Sequence, residues 1–469
     1  MAADDSTGPW PEFLVAKGAT LRQAVEGLGT SQHLDTAALA AGQRRQLAQL
    51  LRSAARHVPW YEGAAWIRPL LAAIDSGSGE FQELWSAVPL LGKAELRDHA
   101  TRLAARSLPA AQLPLGVTRT SGSVGIPVEV KTTALTRLAW DALTVREHLW
   151  RQRDFGKRLG IIRSLMRAQA VPGGSSQPDW GPPAGSLWRT GKASVIHIGF
   201  PLDEHIAWLR RFDPHYLLSY PSLVAALLDE LGPGGRPPAL EEVRMMSEPL
   251  DAGLEARLVN DWGVRVADVY SANEVGNIAF RCQENRLHVQ SEAILVEILD
   301  DAARACAPGG MGRVVLTSLH NLAMPLIRYD IGDFARFGEP CPCGRAHPVL
   351  DRVLGRVRNL ALAPDGRRFW PSALARIREV PGIRQFQYVQ TAPGTIELRL
   401  VLGRALDAAD EARLRDLTCS LLGHPYEVLI CPVPAIPRGP TGKFEEFLSL
   451  LAAAGARPPG SADQDSAPV

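Results

Sequence analysis

The chain has 469 residues, of which 46% are hydrophobic and 22% charged, a composition typical of globular proteins with more than one core. Its 51 basic residues are balanced by 50 acidic ones, so it lacks the basic excess of a general nucleic-acid binder. Lysine is rare, and occurs at Lys17, Lys93, Lys131, Lys157, Lys192 and Lys443. Chemistry that requires an ammonium group therefore has few candidates.

The sequence shows no sign of export or of a membrane span. The N-terminus is acidic and lacks a secretory signal pattern, and the most apolar stretch, residues 216–228, is shorter than the about 20 residues that cross a bilayer. We therefore expect a soluble, cytoplasmic protein with no membrane partner. The six cysteines are too dispersed for a disulfide scaffold, so the closely spaced ones suggest metal binding.

The first half of the chain combines helices with short strands. Helical periodicity covers much of residues 1–115, and a strand, a Gly-rich turn and a second strand follow over 117–130. Strands are then expected at 159–162, 194–198, 216–219, 243–246 and 266–269, with helices at 136–151, 223–230 and 252–262. This alternation predicts an α/β sheet covered by helices on both faces.

The second half is richer in strands. These are expected at 288–296, 312–317 and 334–337, and a hairpin at 386–390 and 396–401 precedes a helix at 408–422. We expect a large N-terminal domain at 1–354, with helical residues at 1–115 and the α/β sheet and β-rich subdomain at 116–354. A small α+β domain follows at 355–456 and a disordered tail at 457–469.

A turn of small residues, Thr120-Ser121-Gly122-Ser123-Val124-Gly125, lies between the two strands of 117–130. Such a turn exposes backbone N–H groups to phosphate oxygens, although a plain hairpin turn is the more frequent use of this pattern. No Gly-Lys-Ser/Thr follows, so it is not a Walker loop. The other motifs of the chain decide between these interpretations.

Five further motifs follow in a fixed order. They are Ser247-Glu248-Pro249, the segment from Asp268 to Gly276 with Tyr270 and Glu274, the segment from Arg328 to Asp333, the pair Gly355-Arg356, and the terminal pair Gly442-Lys443. From about Pro89 to Phe447 the chain resembles the adenylate-forming (acyl-CoA synthetase) superfamily, and its phenylacetate-CoA ligase branch in particular. The resemblance implies a large core, a small mobile C-terminal domain and formation of acyl-AMP from ATP and a carboxylic acid.

The resemblance also assigns residues to ATP and AMP. The matching positions are Thr120, Ser121, Gly122, Ser123, Gly125, Ser247, Glu248, Pro249, Asp268, Tyr270, Ser271, Asp333 and Arg356. Tyr270 would flank the adenine and Asp268 would accept from its amino group. Asp333 would accept from both ribose hydroxyls, because a carboxylate offers two acceptor oxygens.

Two residues are the implied catalytic groups. Glu274 would bind the Mg²⁺ that bridges the phosphates, and Lys443 would neutralise charge between the carboxylate and the α-phosphate. In this family the small domain rotates, and this brings the lysine to ATP in one orientation and admits the thiol in the other. Arg328 is either structural or near the phosphates.

The sequence departs from the family pattern at two positions. Ile126 replaces the usual lysine of the phosphate loop, and Arg358 replaces the usual aspartate of the hinge motif. The second change affects thioester formation more than adenylation. Coenzyme A is the family's usual acceptor, and the alternative is a natural-product ligase that passes the acyl group to an amine, a hydroxyl or a carrier protein.

Three cysteines and a histidine form two ligand-like clusters, at Cys282 and His288 and at Cys341 and Cys343. Four such ligands hold structural zinc, and relatives in the phenylacetate-CoA ligase branch carry zinc in this region. His347 is an alternative ligand. The competing class of protein is a zinc-containing binding protein without activity.

The acid itself is expected to lie near Trp188, His197, Tyr220 and Met246. An aromatic, partly apolar lining suits an aryl or arylacetic acid. The sequence leaves open the identity of the acid and whether the chain forms a homodimer.

Overall fold

A computed structural model describes residues 20–119, 128–356, 359–369, 371, 374–438 and 443–453. The predicted phosphate-loop residues Thr120, Ser121, Gly122, Ser123 and Gly125 lie outside these ranges, as do Arg358 of the hinge motif and the tail predicted at 457–469.

The helices, in chain order, are α1 Leu21–Ser31, α2 Thr36–His57, α3 Ile67–Ser76, α4 Phe81–Ser86, α5 Lys93–Asp98, α6 Ala100–Leu103, α7 Ala134–Trp150, α8 Leu202–Phe212, α9 Pro221–Leu231, α10 Ala252–Trp262 and α11 Ala408–Leu422. The strands are β1 Gly116–Arg119, β2 Glu129–Thr132, β3 Leu159–Arg163, β4 Ser175–Gln177, β5 Ala193–His197, β6 Tyr216–Ser219, β7 Glu242–Met246, β8 Arg265–Ala272, β9 Gly276–Arg281, β10 Leu287–Val289, β11 Ile294–Leu299, β12 Met311–Ser318, β13 Tyr329–Phe337, β14 Val349–Arg356, β15 Ala361–Leu362, β16 Arg368–Phe369, β17 Ile383–Ala392, β18 Thr395–Leu402, β19 Glu427–Pro432 and β20 Phe447–Ser449.

The described residues fall into two compact units. The first unit takes its residues from Met1–Gly156, Asp179–Gly191 and Ala267–Arg352. The second takes them from Lys157–Pro178, Lys192–Val266 and Val353–Val469. None of the helices in the described ranges is long and apolar enough to cross a bilayer.

The first unit contains a largely antiparallel sheet in the order β11-β12-β13-β14-β10-β9-β8. Helix α7 packs on it through buried Ala139 and Leu143, which share a core with Val269 and Phe280. The α7 segment matches the helix predicted at 136–151, and the predicted strand pair at 117–130 appears as β1 and β2.

One strand prediction in this unit is wrong. Residues 288–296 do not form a single strand, because β10 ends at Val289 and β11 begins at Ile294. The residues between them include Gln290 and Glu292, which are fully buried and hydrogen-bonded to Arg146. The strand is interrupted by a turn whose buried polar side chains bind Arg146. The sequence gives no sign of this turn, because apolar residues flank it.

The second unit contains parallel strands joined through helices, as predicted. Neighbouring pairs β5–β3, β3–β6 and β6–β7 are parallel, and β4 is antiparallel to β5 at the edge. Helices α8, α9 and α10 bury Trp208, Val224 and Leu258 in one core with these strands. The Asp251 side chain caps α10, and Gly263 ends it in the left-handed conformation, so the helix has the bounds expected from sequence.

The same unit carries a four-stranded sheet in the order β19-β18-β17-β20. The hairpin predicted around Pro393-Gly394 is confirmed, because Ala392 pairs with Thr395 across the turn. Helix α11 has the predicted bounds, with Asp407 as its N-cap and Gly423 as its C-cap. Leu398 and Leu414 are both fully buried in the core that α11 shares with the sheet.

Candidate functional site

Two motifs of the predicted nucleotide site meet in the first unit. Strand β8 carries Tyr270 and strand β13 carries Asp333, and the phenol of Tyr270 donates a 2.8 Å hydrogen bond to Asp333 Oδ2. Both side chains are half-buried. An aromatic ring and a carboxylate held together in this way match what an adenine and its ribose require, namely a flat apolar face and a two-oxygen acceptor.

The predicted metal-binding carboxylate lies beside the same strands. Glu274 follows β8 and is 5% exposed, and its Oε1 accepts a long, 3.4 Å hydrogen bond from the Tyr329 hydroxyl at the start of β13. Carboxylate oxygens are the ligands that Mg²⁺ prefers, so the donor type fits that ion. Glu274 and Asp333 are thus each bound by a tyrosine of the facing motif.

A glycine lets α7 approach this motif closely. Gly276 has φ of +82°, and a Cβ added there would lie only 2.0 Å from Nε1 of Trp140. The same Nε1 donates to the Val275 carbonyl at 3.1 Å. Any larger residue at position 276 would push the indole and the backbone after Glu274 apart.

A cavity of about 320 Å³ opens next to the motif. Its walls come from α7, β1 and the β8–β9 turn, and its lining residues are Thr118, Arg137, Trp140, Asp141, Thr144, Ser271, Ala272, Asn273, Gly276 and Asn277. Burial raises the pKa of Asp141, and the nearby guanidinium of Arg137 opposes that rise. Most of the lining side chains are polar, and the indole of Trp140 is the largest apolar one.

The structure decides between the two roles left open for Arg328. Its side chain is 1% exposed and forms an ion pair with Glu297, with 3.1 Å between Nη2 and Oε1. It also donates to the backbone carbonyls of Ser86 and Val88 at 2.8 and 2.6 Å. Arg328 is structural, because its donors are used to tie β13 to the loop after α4.

Glu248, one of the predicted nucleotide-binding residues, lies in the second unit. Its side chain is 4% exposed, and it accepts from the backbone N–H groups of Ser222 at 2.9 Å and Phe444 at 2.6 Å. Arg438 donates to it at 3.1 Å. The carboxylate thus contacts the segment that contains Lys443, which is half-buried.

The remaining nucleotide candidates are spread over both units. Ser271 is exposed, Asp268 is half-buried, and Ser247 has φ of +71° directly before Glu248. Arg356 ends β14. Pro249 lies next to the hinge glycine, because a Cβ added to Gly355 would be 3.6 Å from Pro249 Cγ.

The four predicted zinc ligands come together in the first unit. The ligand atoms of Cys282, His288, Cys341 and Cys343 all lie within 4.8 Å of one another. Sγ of Cys282 is 3.7 Å from Sγ of Cys341, and Sγ of Cys343 is 3.4 Å from Nε2 of His288. A tetrahedral zinc with bonds of about 2.3 Å to sulfur sets its sulfurs about 3.8 Å apart, so the residues fit this ion.

The surroundings orient the histidine of this cluster. His288 Nδ1 donates to the His347 carbonyl at 3.1 Å, which turns Nε2 toward the cysteines. Burial lowers the pKa of His288 to about 4, so its ring is neutral, as a metal ligand must be. His347 itself contributes a carbonyl rather than its ring, which lies 3.6 Å from Glu292.

The residues predicted to bind the acid lie elsewhere in the fold. Trp188 stacks on Phe155 in the first unit, with 4.5 Å between ring centroids. In the second unit, His197 Nδ1 accepts from the Leu165 N–H and the Tyr220 hydroxyl accepts from the Ser164 N–H, so both contact one backbone segment. Met246 packs at the edge of the core there. None of the four lines the 320 Å³ cavity.

Sequence reasoning missed several residues of these sites. Arg438 and Ser222 bind Glu248, and Trp140 and Asp141 line the cavity. Arg438 stands in the Pro-Arg-Gly-Pro segment before Lys443, which was a usable signal. The α7 residues gave no signal, since their helical pattern also suits a core helix.

Comparison with solved structures identifies the class of fold. The chain aligns over 96% of its length with 94% of a 2-hydroxyisobutyryl-CoA ligase in the postadenylation state, at a TM-score of 0.67 and 19% identity. It also aligns over 70% of its length with 64% of an anthranilate CoA ligase bound to anthranoyl-AMP, at a TM-score of 0.51 and 16% identity. The fold is that of the adenylate-forming ligases.

Sequence comparison finds relatives within this class of fold. The chain is 26% identical to a phenylacetate-coenzyme A ligase of Thermus thermophilus over 382 residues, which cover 76% of this chain and 80% of the relative. It is 25% identical over 178 residues to the enzyme of the same name from Pseudomonas putida, covering 36% of this chain and 40% of the relative. No protein-family profile matches the chain. These relatives confirm the resemblance to the phenylacetate-CoA ligase branch of the adenylate-forming superfamily.

Proposed function

We propose that this protein is an AMP-forming acid–thiol ligase that activates a carboxylic acid with ATP and then passes the acyl group to coenzyme A. The main observation behind the proposal is the hydrogen bond between Tyr270 and Asp333, which joins the two predicted nucleotide motifs. Glu274 is bound by Tyr329 beside them. The similarity to phenylacetate-CoA ligases over most of both chains supports it.

In the first step a carboxylate oxygen of the acid attacks the α-phosphorus of ATP, and the bond to pyrophosphate breaks. Asp333 accepts from the ribose hydroxyls and Tyr270 flanks the base, so the nucleotide is held in a fixed orientation. Mg²⁺ bound at Glu274 would supply charge neutralisation on the phosphates. Lys443 neutralises the charge that develops on the acid and the α-phosphate.

In the second step the acceptor sulfur attacks the acyl carbon, and AMP leaves with the bonding electrons of the C–O bond. The departure of the hinge from the family pattern at Arg358 bears on this step more than on adenylation. It is the reason to test amines, hydroxyls and carrier-protein thiols as acceptors beside coenzyme A.

We assign the acid to the aryl or arylacetic class. The cavity beside Glu274 supports this, since Trp140 forms a flat wall for a ring, and Asp141 and Asn277 offer polar partners for a ring substituent. Trp188, His197, Tyr220 and Met246 remain the second set of pocket residues to be tested.

We further propose that Cys282, His288, Cys341 and Cys343 hold one structural zinc ion. The four ligands fill a tetrahedral shell and leave no position for a substrate, so the metal would stabilise the first unit and take no part in catalysis. The separations between the ligand atoms support this assignment.

The test is a panel of aryl and arylacetic acids incubated with ATP and Mg²⁺, with product analysis by mass spectrometry. Each acid is tested alone, with coenzyme A and with simple amines. An acyl-CoA and equimolar AMP and pyrophosphate are expected for at least one acid. An amide formed without coenzyme A would select the natural-product ligase, and no AMP with any acid would favour a binding protein.

A further inference from the structure

The Glu248 carboxylate lies at the junction of three elements of the second unit. It follows β7, it faces the N-terminus of α9, and it contacts the segment that precedes β20. Oε2 accepts from the Ser222 N–H at 2.9 Å, in the first turn of α9, where orphan N–H groups and the helix dipole favour a negative charge. One oxygen of Glu248 is therefore occupied by the core.

The other oxygen is occupied by the segment that carries the predicted catalytic lysine. Oε1 accepts from the Phe444 N–H at 2.6 Å and from Arg438 Nη1 at 3.1 Å. The same Nη1 donates to the Ser222 hydroxyl at 2.8 Å, which closes a network of four residues. Phe444 is the residue directly after Lys443, so this hydrogen bond fixes the peptide group next to the lysine.

The side chains that make these contacts are largely shielded from water, so breaking the contacts has an energetic cost. Glu248 is 4% exposed and Arg438 is 20% exposed on their side chains, and Phe444 is buried below the guanidinium, 5.7 Å from ring centroid to Cζ. Burial raises the pKa of Glu248, and Arg438 and the two N–H groups oppose that rise. Withdrawing Arg438 and Phe444 would leave the carboxylate with one of these three hydrogen-bond donors, the Ser222 N–H.

The downstream end of the segment is fixed to the C-terminal sheet. The Tyr388 N–H donates to the Glu446 carbonyl at 2.8 Å, and β20 pairs with β17 from Phe447 onward. The segment around Lys443 is thus hydrogen-bonded to Glu248 through Arg438 and Phe444 and to the C-terminal sheet from Glu446 onward. The position of the lysine depends on both sets of contacts.

We propose that Glu248 is a positioning residue whose side chain docks the Lys443 segment through Arg438 and the Phe444 N–H, and so holds the lysine for acyl-AMP formation. This inference rests on the proposed function and deepens it. It gives the side chain of Glu248, which the resemblance places among the nucleotide-binding positions, a role in controlling the lysine. Passage to the thioester-forming orientation then requires that this docking contact breaks.

The variants are Glu248→Gln, which keeps the shape and removes the charge, and Arg438→Met, which removes the cation. Glu241→Gln is the matched control, because Glu241 forms a 2.6 Å ion pair with Lys157 in the same unit. Two rates are compared for each: acyl-AMP formation from acid and ATP, and thioester formation from synthetic acyl-AMP and coenzyme A.

We expect Glu248→Gln and Arg438→Met to slow acyl-AMP formation by about tenfold or more while thioester formation from acyl-AMP is unchanged or faster. The double variant should be no slower than the worse single one, because both act on one contact. Equal loss of both steps, or no loss of either, would overturn the proposal.

Hydrogen exchange tests the docking contact without requiring turnover. In wild-type protein without substrates, the Phe444 amide should exchange slowly, and Glu248→Gln and Arg438→Met should each speed its exchange, while Glu241→Gln should not. Unchanged exchange in both variants would overturn the inference even if acyl-AMP forms. If docking is confirmed but no acid yields acyl-AMP, the proposed function fails and not the contact.

Discussion

The hydroxyl of Tyr270 lies 2.8 Å from Oδ2 of Asp333 and donates to it, although 63 residues separate the two in sequence. This hydrogen bond joins the motif on β8 to the motif on β13 and fixes one of the two acceptor oxygens that a ribose would use. The proposed nucleotide site therefore depends on a contact between two motifs that are far apart in sequence.

Tyr270→Phe should weaken ATP binding more than it weakens the fold. The change removes a donor to a carboxylate, and hydrogen bonds to charged groups contribute about 1.5–3 kcal/mol, so we expect the KM for ATP to rise about tenfold or more. Steady-state kinetics with ATP varied measures this. Tyr61→Phe is the control, because Tyr61 is a buried tyrosine that donates to the Pro325 carbonyl. A similar KM change in both variants would contradict the assignment.

Arg328→Met should destabilise the protein without changing its affinity for ATP. Removing one partner of a buried ion pair costs about 3–5 kcal/mol, because Glu297 and two carbonyls lose their donors. Chemical denaturation measures the loss. Arg304→Met, in the exposed pair with Asp300, should leave the free energy of unfolding nearly unchanged, because water screens that pair. A raised KM for ATP with normal stability would instead place Arg328 at the phosphates.

Cys341→Ser should remove the proposed zinc ion. Purified wild-type protein is expected to contain one zinc per chain by elemental analysis, and the variant none, with an unfolding temperature lower by about 5 °C or more. Cys306→Ser is the control, since Cys306 is a half-buried cysteine outside the cluster. Metal-free wild-type protein with an unfolding temperature that zinc does not change would refute the site.

The pH dependence of stability should report on Glu446. Burial raises its pKa from 4.5 to about 7, and Asp251 and Glu248 add to this rise while Arg378 opposes it. Between pH 4.5 and about 7 the unfolded chain has released this proton and the folded chain still holds it. Stability contributed by this group is therefore present below pH 4.5 and is lost as the pH rises through about 7.

Glu446→Gln should flatten this part of the stability profile, because the amide cannot ionise. Urea denaturation at several pH values between 4.5 and 8 measures the slope. Glu427→Gln, at an exposed position on β19, should leave the slope unchanged. A slope that survives in Glu446→Gln would assign the effect to another group.

Sequence patterns predicted the elements whose ends are marked by local signals. Helices α10 and α11 have the expected bounds because a capping aspartate and a terminal glycine mark both ends. The strand expected at 288–296 was wrong because the polar residues that break it are buried with Arg146, a contact between distant residues that no local pattern contains.

Those residues of the candidate sites that belong to recognisable sequence motifs were predictable. The four proposed zinc ligands were predicted from their types and spacing together with the family resemblance, and their ligand atoms lie together. The contacts of Glu248 were not predicted from the sequence. Ser222, Arg438 and Phe444 reach this carboxylate through the packing of three elements. The cavity wall on α7 was missed because the helical pattern of that segment also suits a core helix.

The most direct test of the central claim is acid-dependent exchange of labelled pyrophosphate into ATP in the absence of coenzyme A. Because a reversible acyl-AMP step returns pyrophosphate to ATP, wild-type protein should catalyse this exchange with at least one aryl acid. Lys443→Ala should lose the exchange and still convert synthetic acyl-AMP to acyl-CoA, whereas Lys192→Ala, at an exposed lysine, should retain both activities. No exchange with any acid, or equal loss of both half-reactions in Lys443→Ala, would contradict the two-step mechanism proposed for this chain.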